Sequence, residues 1–221
     1  MVFGRFIFIL CLTLLMGNPT LAQYTSDDWE DRDQWMRVST LMEFAEVSEG
    51  DQVADVGCHE GYLTFHLSKK VGVLGKVFAV DVVSSRLDHV KALANEKRIG
   101  NIKVVLGDYD NPNLPEGQLD AVFVVDTYHE IEDYLEVLSH IKTALKPRGR
   151  LLILEKMKDF AKGKSRESQA ASHTLSSEYV KKELERSGFE VVKQDLDFGT
   201  WNHEPGKQMW VLVAIALDNG K

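Results

Sequence analysis

The sequence predicts one doubly wound α/β domain: a mostly parallel seven-stranded sheet, helices on both faces, and a C-terminal antiparallel hairpin. Three observations predict it. Short runs of Val, Ile and Leu alternate with longer amphipathic stretches, the pattern of strands feeding crossover helices. The strand runs are apolar almost throughout, as expected where both faces of a sheet are covered. The last two runs are separated only by Asn202-His203-Glu204-Pro205-Gly206, a hairpin-like turn that can only add antiparallel pairing.

In chain order, Asp33 to Val47 reads as a helix with Trp35, Val38, Leu41, Met42 and Ala45 on one stripe. Ser48-Glu49-Gly50-Asp51 is a turn, and Val53-Ala54-Asp55-Val56 is the first strand. A glycine-containing loop leads to a helix from Gly61 to about Lys69, and Lys76 to Val82 is the second strand. Ser84 is expected to cap a helix running to Arg98. Ile102 to Leu106 and Ala121 to Val125 are the third and fourth strands. Asp133 to Leu145 is a helix closed by Lys146-Pro147-Arg148-Gly149, and Arg150 to Glu155 is the fifth strand. Lys158 to Ser172 is polar and reads as mobile; Ser176 to Ser187 is a helix ending at Gly188. Phe189 to Phe198 and Gln208 to Leu217 complete the sheet.

Of 221 residues 44% are hydrophobic, with 26 Lys+Arg against 34 Asp+Glu, a balance that excludes disordered, collagen-like and disulfide-rich classes. Residues 1–22 are different material. Arg5 precedes an apolar run from Phe6 to Met16, and Thr20-Leu21-Ala22 ends on small residues, as in a secretory signal peptide. As a helix the run spans about 16 Å, short of a roughly 30 Å hydrocarbon layer. The expectation is export to the periplasm or medium, with membrane association only through an uncleaved leader. A start at Met16 would instead leave a cytoplasmic protein. The body, residues 23–221, carries net charge −9, with 25 basic and 34 acidic residues, and offers no field for nucleic acid. Cys58 is its only cysteine, and without CxxC or HExxH no metal site is expected.

Ligands in such sheets sit beyond the carboxyl ends of the strands. The first strand ends in Asp55-Val56-Gly57-Cys58-His59-Glu60-Gly61, where Gly57 and Gly61 permit tight turning and close approach. The second ends in Val80-Asp81-Val82, an acid able to accept from a ribose diol; the third in Gly107-Asp108-Tyr109, able to accept from an adenine amino group. Pyrophosphate binding favours G-x-G-x-x-G without competing charge; here the spacing is Gly-x-x-x-Gly, with Asp55 and Glu60 beside it. Those acids suit a ligand carrying an ammonium and a sulfonium.

Residues 53–61 resemble the first motif of class I S-adenosylmethionine-dependent methyltransferases. Asp81 and Gly107-Asp108 resemble that family's acids after the second and third strands. Leu119-Asp120-Ala121-Val122 leading to Val125-Asp126-Thr127-Tyr128-His129 resembles its fourth motif. Leu145 to Leu152 resembles "LKPGG" leading into the fifth strand, and Glu185 to Phe189 its late "aGF" signature. The resemblance covers about residues 33–217 and implies a Rossmann-like methyltransferase fold with S-adenosyl-L-methionine as cofactor. By it, Gly57 and Gly61 line the methionine end and Asp55 orients it. Asp81 holds the ribose, Asp108 the adenine amino group, and Asp126 lies beside the methionine part, with Val82 and Tyr109 also expected among the cofactor-binding residues. One position departs: His59 stands where the family usually has glycine, so its side chain must point away from the cofactor or pack over it.

Methyl transfer needs a nucleophile held about 3–3.5 Å from the methyl, and often a base. His129, just past the fourth strand, is the candidate base, with Glu130 to orient it or bind a substrate cation. His173 is a candidate lid contact, Trp29 a candidate apolar cover, and Lys158, Lys162, Lys164 and Arg166 read as a solvated basic run. Cys58 reads as a packed side chain. The acceptor is expected to be a small or lipid-like molecule. The alternative from another class is a non-catalytic module that keeps the cofactor fold for binding.

Overall fold

Seven strands form one sheet in the order β3-β2-β1-β4-β5-β7-β6. They are β1 (Gln52–Val56), β2 (Lys76–Asp81), β3 (Ile102–Leu106), β4 (Leu119–Val125), β5 (Leu145–Lys158), β6 (Phe189–Thr200) and β7 (Lys207–Ala216). The computed structural model describes residues 28–217; the leader assigned to residues 1–22 lies outside the described residues. Strands β1 to β5 pair in parallel, and β7 pairs antiparallel with both β5 and β6. The direction of winding reverses between β1 and β4, which puts the crevice for a ligand at their carboxyl ends.

Strand periodicity divides the core. Val122 and Val124 of β4 face the layer built by α5 (Tyr134–Ala144) and α7 (Ser177–Arg186). Ala121 and Phe123 face the layer built by α1 (Trp29–Met36), α2 (Val38–Phe44) and α3 (Tyr62–Val71). Helix α4 (Ser84–Glu96) covers β2 through Leu87 and Val90. Leu41, Leu67, Leu138 and Ile141 are fully buried, so truncating any one to alanine costs about 2–5 kcal/mol. Among the described residues, no helix is long and apolar enough to cross a membrane.

Four expectations about the elements are corrected. The helix expected over 33–47 starts at Trp29 and breaks at Arg37, which takes left-handed backbone (φ 52°). Its guanidinium donates to the Phe198 carbonyl at 2.7 Å and stacks on the Phe198 ring, and this tertiary anchor outweighs helix propensity. Ser84 is the first helical residue rather than the cap; extended Val83 precedes it, with its amide given to Asp81 at 2.9 Å. The fifth strand is longer than expected, 145–158, because it pairs with β4 at Leu145, before a register shift between Leu119 and Ala121, and with β7 as far as Lys158. The polar stretch 158–172 is ordered: a 3₁₀ turn at Asp159–Ala161 and α6 (Arg166–Ala170), whose N-cap Ser165 accepts from the Ser168 amide. Arg166 is not a solvated cation; it pairs with Glu183 at 2.6 Å and stacks on Tyr134.

Candidate active site

A cavity of about 710 Å³ opens at the carboxyl ends of β1, β2 and β4, within the size range of small-molecule sites. Seven of the eight residues assigned to the cofactor line it: Asp55 and Gly57 at the end of β1, Asp81 and Val82 at the end of β2, Asp108 and Tyr109 after β3, and Asp126 after β4; Gly61 sits one step behind.

 Gly61 supports the wall: its positive φ of 94° starts α3, and a side chain there would press on Phe65 and Val90 at 3.1 Å. Gly57 is required more strictly. Its φ is +77°, and a Cβ would fall inside the side chain of Thr127, the residue after Asp126. The loops after β1 and β4 thus touch backbone to side chain.

The acids of the wall differ in how they are held. Asp55 is buried and accepts from the Thr64 hydroxyl at 2.6 Å; burial pushes its pKa up to about 6, against the partial help of Thr64 and Arg32. Asp81 is buried too, accepting from the His59 amide at 3.0 Å and the Val83 amide at 2.9 Å, with Arg86 of α4 at 3.4 Å. Its expected diol site is thus partly occupied by its own chain. Each carboxylate oxygen can accept more than one bond, and the long Arg86 contact is the one a ligand hydroxyl would displace. Asp108 and Tyr109 are exposed at the outer end.

His59, the departure from the family pattern, takes left-handed backbone (φ 49°), the conformation glycine adopts without cost. His59 is among the residues that line the cavity. Burial, then the Arg86 charge, hold its pKa below the ordinary histidine value, leaving it neutral at pH 7. Cys58 is buried, and burial followed by the Asp55 and Asp81 charges raises its thiol well above the usual value, consistent with a packed side chain. Trp29 and Arg32 of α1 complete the near side; Trp35 packs instead against Trp201, ring centroids 4.7 Å apart.

The candidate base is placed differently from expectation. His129 lies in a 3₁₀ turn (Tyr128–Glu130) and its imidazole is buried; it is not among the residues that line the cavity, whereas Glu130 is. Nor does Glu130 orient it. Glu155 of β5 does, accepting from the His129 backbone amide at 3.0 Å and meeting Nδ1 at 2.9 and 3.0 Å. The β4–β5 register dictates this: Val125 pairs with Leu154, so Glu155 follows beside the turn. Burial lowers the His129 pKa, but the Glu155 charge and hydrogen bond outweigh it, and the net shift is upward. Burial likewise acts to raise Glu155, and the imidazole overrides it, so the carboxyl is held below its ordinary value. Lys156 pairs with Asp126 and lies 4.4 Å from the Trp201 ring centroid; burial nonetheless raises Asp126. Sequence reasoning missed Arg86, Glu155 and Lys156. Each acts across the fold, and only strand register or helix phase could have found them.

The wall fits the implied cofactor at both ends. Asp55 provides negative charge for an ammonium or a sulfonium, Asp126 adds a carboxylate shared with Lys156, and Asp81 retains acceptor capacity for a ribose. A pyrophosphate would meet the same carboxylates as repulsion.

Comparison with known proteins agrees with this geometry. A family described as "Methyltransferase domain" matches residues 53–149. A demethylmenaquinone methyltransferase of Lactococcus lactis is 32% identical over 127 residues, 58% of this chain and 50% of that protein. A ubiquinone/menaquinone biosynthesis C-methyltransferase (UbiE) of Francisella philomiragia is 33% identical over 110 residues, 49% of this chain and 44% of that protein. The chain spans about half the length of the curated relatives it matches. Among solved structures, a SAM dependent methyltransferase from Aquifex aeolicus superposes with a TM-score of 0.69 at 25% identity, covering 87% of this chain and 98% of that one. The [4+2]-cyclase SpnF superposes at 0.68 with 16% identity over 85% and 80%, a likeness of fold alone. The chain therefore has the Rossmann-like methyltransferase fold, and within it residues 53–149 are similar to a methyltransferase domain.

Proposed function

We propose that this protein transfers a methyl group from S-adenosyl-L-methionine to a small-molecule or lipid-like acceptor. The observation that carries the reading is the cavity at the winding reversal, with Asp55, Asp81 and Asp126 in its wall and a glycine turn at its floor. When bound, the cofactor supplies an electrophilic methyl on a sulfonium. Asp55 balances positive charge at the β1–β4 end, and Asp81, fixed by two backbone amides, accepts from a ribose hydroxyl. Trp29 and Ile131 give the cavity an apolar side and exclude water from the acceptor. His129 does not reach the wall, so a base role for it would require Glu130 or a water as relay.

Calorimetry with S-adenosylmethionine and its demethylated product tests the reading, followed by a labelled-methyl screen of acceptors. Both ligands are expected to bind, and Asp81→Asn to weaken them at least tenfold, about 1.4 kcal/mol or more. Absence of measurable binding by either ligand overturns the proposal. Export is proposed on the leader sequence: the N-terminus of the native protein is expected at Gln23, and a start at Met1 or Met16 would refute it.

A further inference from the structure

Beside the cavity, three metal-ligating side chains converge from two separate segments. Nε2 of His129 lies 3.8 Å from Oε1 of Glu130, and Nδ1 of His173 lies 3.8 Å from the same oxygen. The three ligand atoms all lie within 4.8 Å of one another. The two imidazoles stand at 89° with centroids 5.6 Å apart, so their nitrogens converge on the carboxylate from two directions. The arrangement thus consists of contacts beyond hydrogen-bond length, which are ion pairs only where an imidazole is protonated. From it, we propose that His129, Glu130 and His173 form a binding site for one divalent transition-metal cation, Zn²⁺ being the probe of choice.

The donor set is two imidazoles and one carboxylate, which suits Zn²⁺ or Fe²⁺ and leaves coordination positions open. Metal–ligand bonds of about 2.0–2.2 Å bring neighbouring donors to roughly 3–3.6 Å, so the observed spacing needs only a small closure. The parts that must move are free to do so: the side chains of Glu130 and His173 are 58% and 70% exposed. The part that must not move is fixed, since the His129 side chain is 2% exposed and Glu155 holds its Nδ1. A ligating histidine whose other nitrogen is held by a carboxylate is the usual outer arrangement of a metal site. His173 is presented by its own turn, with left-handed backbone (φ 50°) and its amide bonded to the Ala170 carbonyl at 2.9 Å.

The neighbouring charges set the limits. Asp126, His129 and Glu155 also come within ligating range of one another. That second cluster is already compensated, because Lys156 pairs with Asp126 and His129 with Glu155. Because Glu130 belongs to both the cluster and the cavity wall, the open positions suit an oxygen donor of the acceptor, a phenolate, enolate or carboxylate. This last point rests on the proposed methyl transfer; the metal site itself does not.

The test titrates chelator-treated full-length protein with Zn²⁺ at pH 7.5 by calorimetry, with Co²⁺ absorption as a second readout. Wild type is expected to bind one ion per chain and to show visible Co²⁺ bands of four- or five-coordination. His173→Ala and Glu130→Gln, both at exposed positions that leave the fold intact, are expected to bind at least tenfold more weakly. His89→Ala, an exposed histidine on α4, is expected to match wild type. Failure to reach one ion per chain, or wild-type affinity in both His173→Ala and Glu130→Gln, overturns the site. S-adenosylmethionine binding measured on the same samples separates the two proposals: metal without cofactor binding leaves this site standing and refutes the methyltransferase reading, and the converse refutes this site alone.

Discussion

On the β1–β2 side of the cavity, acids are held by the chain itself: Asp81 takes two backbone amides and Asp55 a neighbouring hydroxyl. On the β4–β5 side, acids are held by other charged side chains, Glu155 by His129 and Asp126 by Lys156. Backbone amides are fixed dipoles that stay put when a ligand arrives. Charged partners can each change protonation or exchange one contact for another. The first side is suited to holding one constant ligand, and the second to accommodating a variable one and moving a proton.

The largest effect expected from breaking this contrast comes from Glu155→Gln. It leaves the buried His129 and Lys156 short of one negative partner, a loss of about 3–5 kcal/mol in denaturant unfolding. The cost should be greatest between about pH 4.5 and 6.5, because Glu155 has a lowered folded pKa and its stabilisation fades as pH falls through that value. His129 has a raised folded pKa, so its stabilisation is fully present below about pH 6.5 and is lost as pH rises through the folded value. A cost under about 1 kcal/mol at pH 6 would show that the β4–β5 charges are not coupled as described.

Next in size, Gly57→Ala places a methyl into Thr127 on a left-handed backbone, an expected loss of about 2–4 kcal/mol. Trimming Thr127 in the same protein should recover the steric part but not the backbone part. A single mutant as stable as wild type would mean that the two loops are not in contact.

The smallest effect is the most selective. Asp55 has a folded pKa near 6, so it favours the fold below about pH 4 and withdraws that support as pH rises through about 6. Asp55→Asn should therefore stabilise the ligand-free protein at pH 8, by at most about 3 kcal/mol, with little change at pH 4. It should also weaken binding of a cationic ligand. The two sides would then titrate in separate windows, Asp55 between about pH 4 and 6 and His129 above about 6.5. Stability curves of the two mutants that parallel each other across pH 4–9 would erase the distinction.

The same contrast explains what could be read from the sequence. Gly57, Asp81, Asp108 and Asp126 sit at the ends of apolar runs, and position along the chain alone carries them to one edge of the sheet. Seven strands, their parallel order and the terminal hairpin follow from the same one-dimensional pattern. Glu155 looks, in sequence, like the end of a strand; only the pairing of Val125 with Leu154 brings it under His129. Arg86 depends on the phase of α4, and His173 on the turn after α6, inside a stretch whose polarity suggested mobility. Its order comes from Arg166–Glu183 and from buried Gln169, which accepts from the Ser176 amide and donates to Lys164. The break at Arg37 was equally hidden, since its partner Phe198 is far along the chain.

That break has a consequence of its own. One part of the cavity wall consists of strand ends, Asp55, Val56, Val80, Asp81 and Val125, which can move only if the sheet comes apart. Another part is an eight-residue helix carrying Trp29 and Arg32, set off from the rest by one left-handed residue and seated on Trp35 and Met36. Such a segment undocks at a fraction of the free energy of global unfolding. A change at Arg37 or Phe198 would therefore be felt at the cavity through Trp29 and Arg32, without disturbing the sheet.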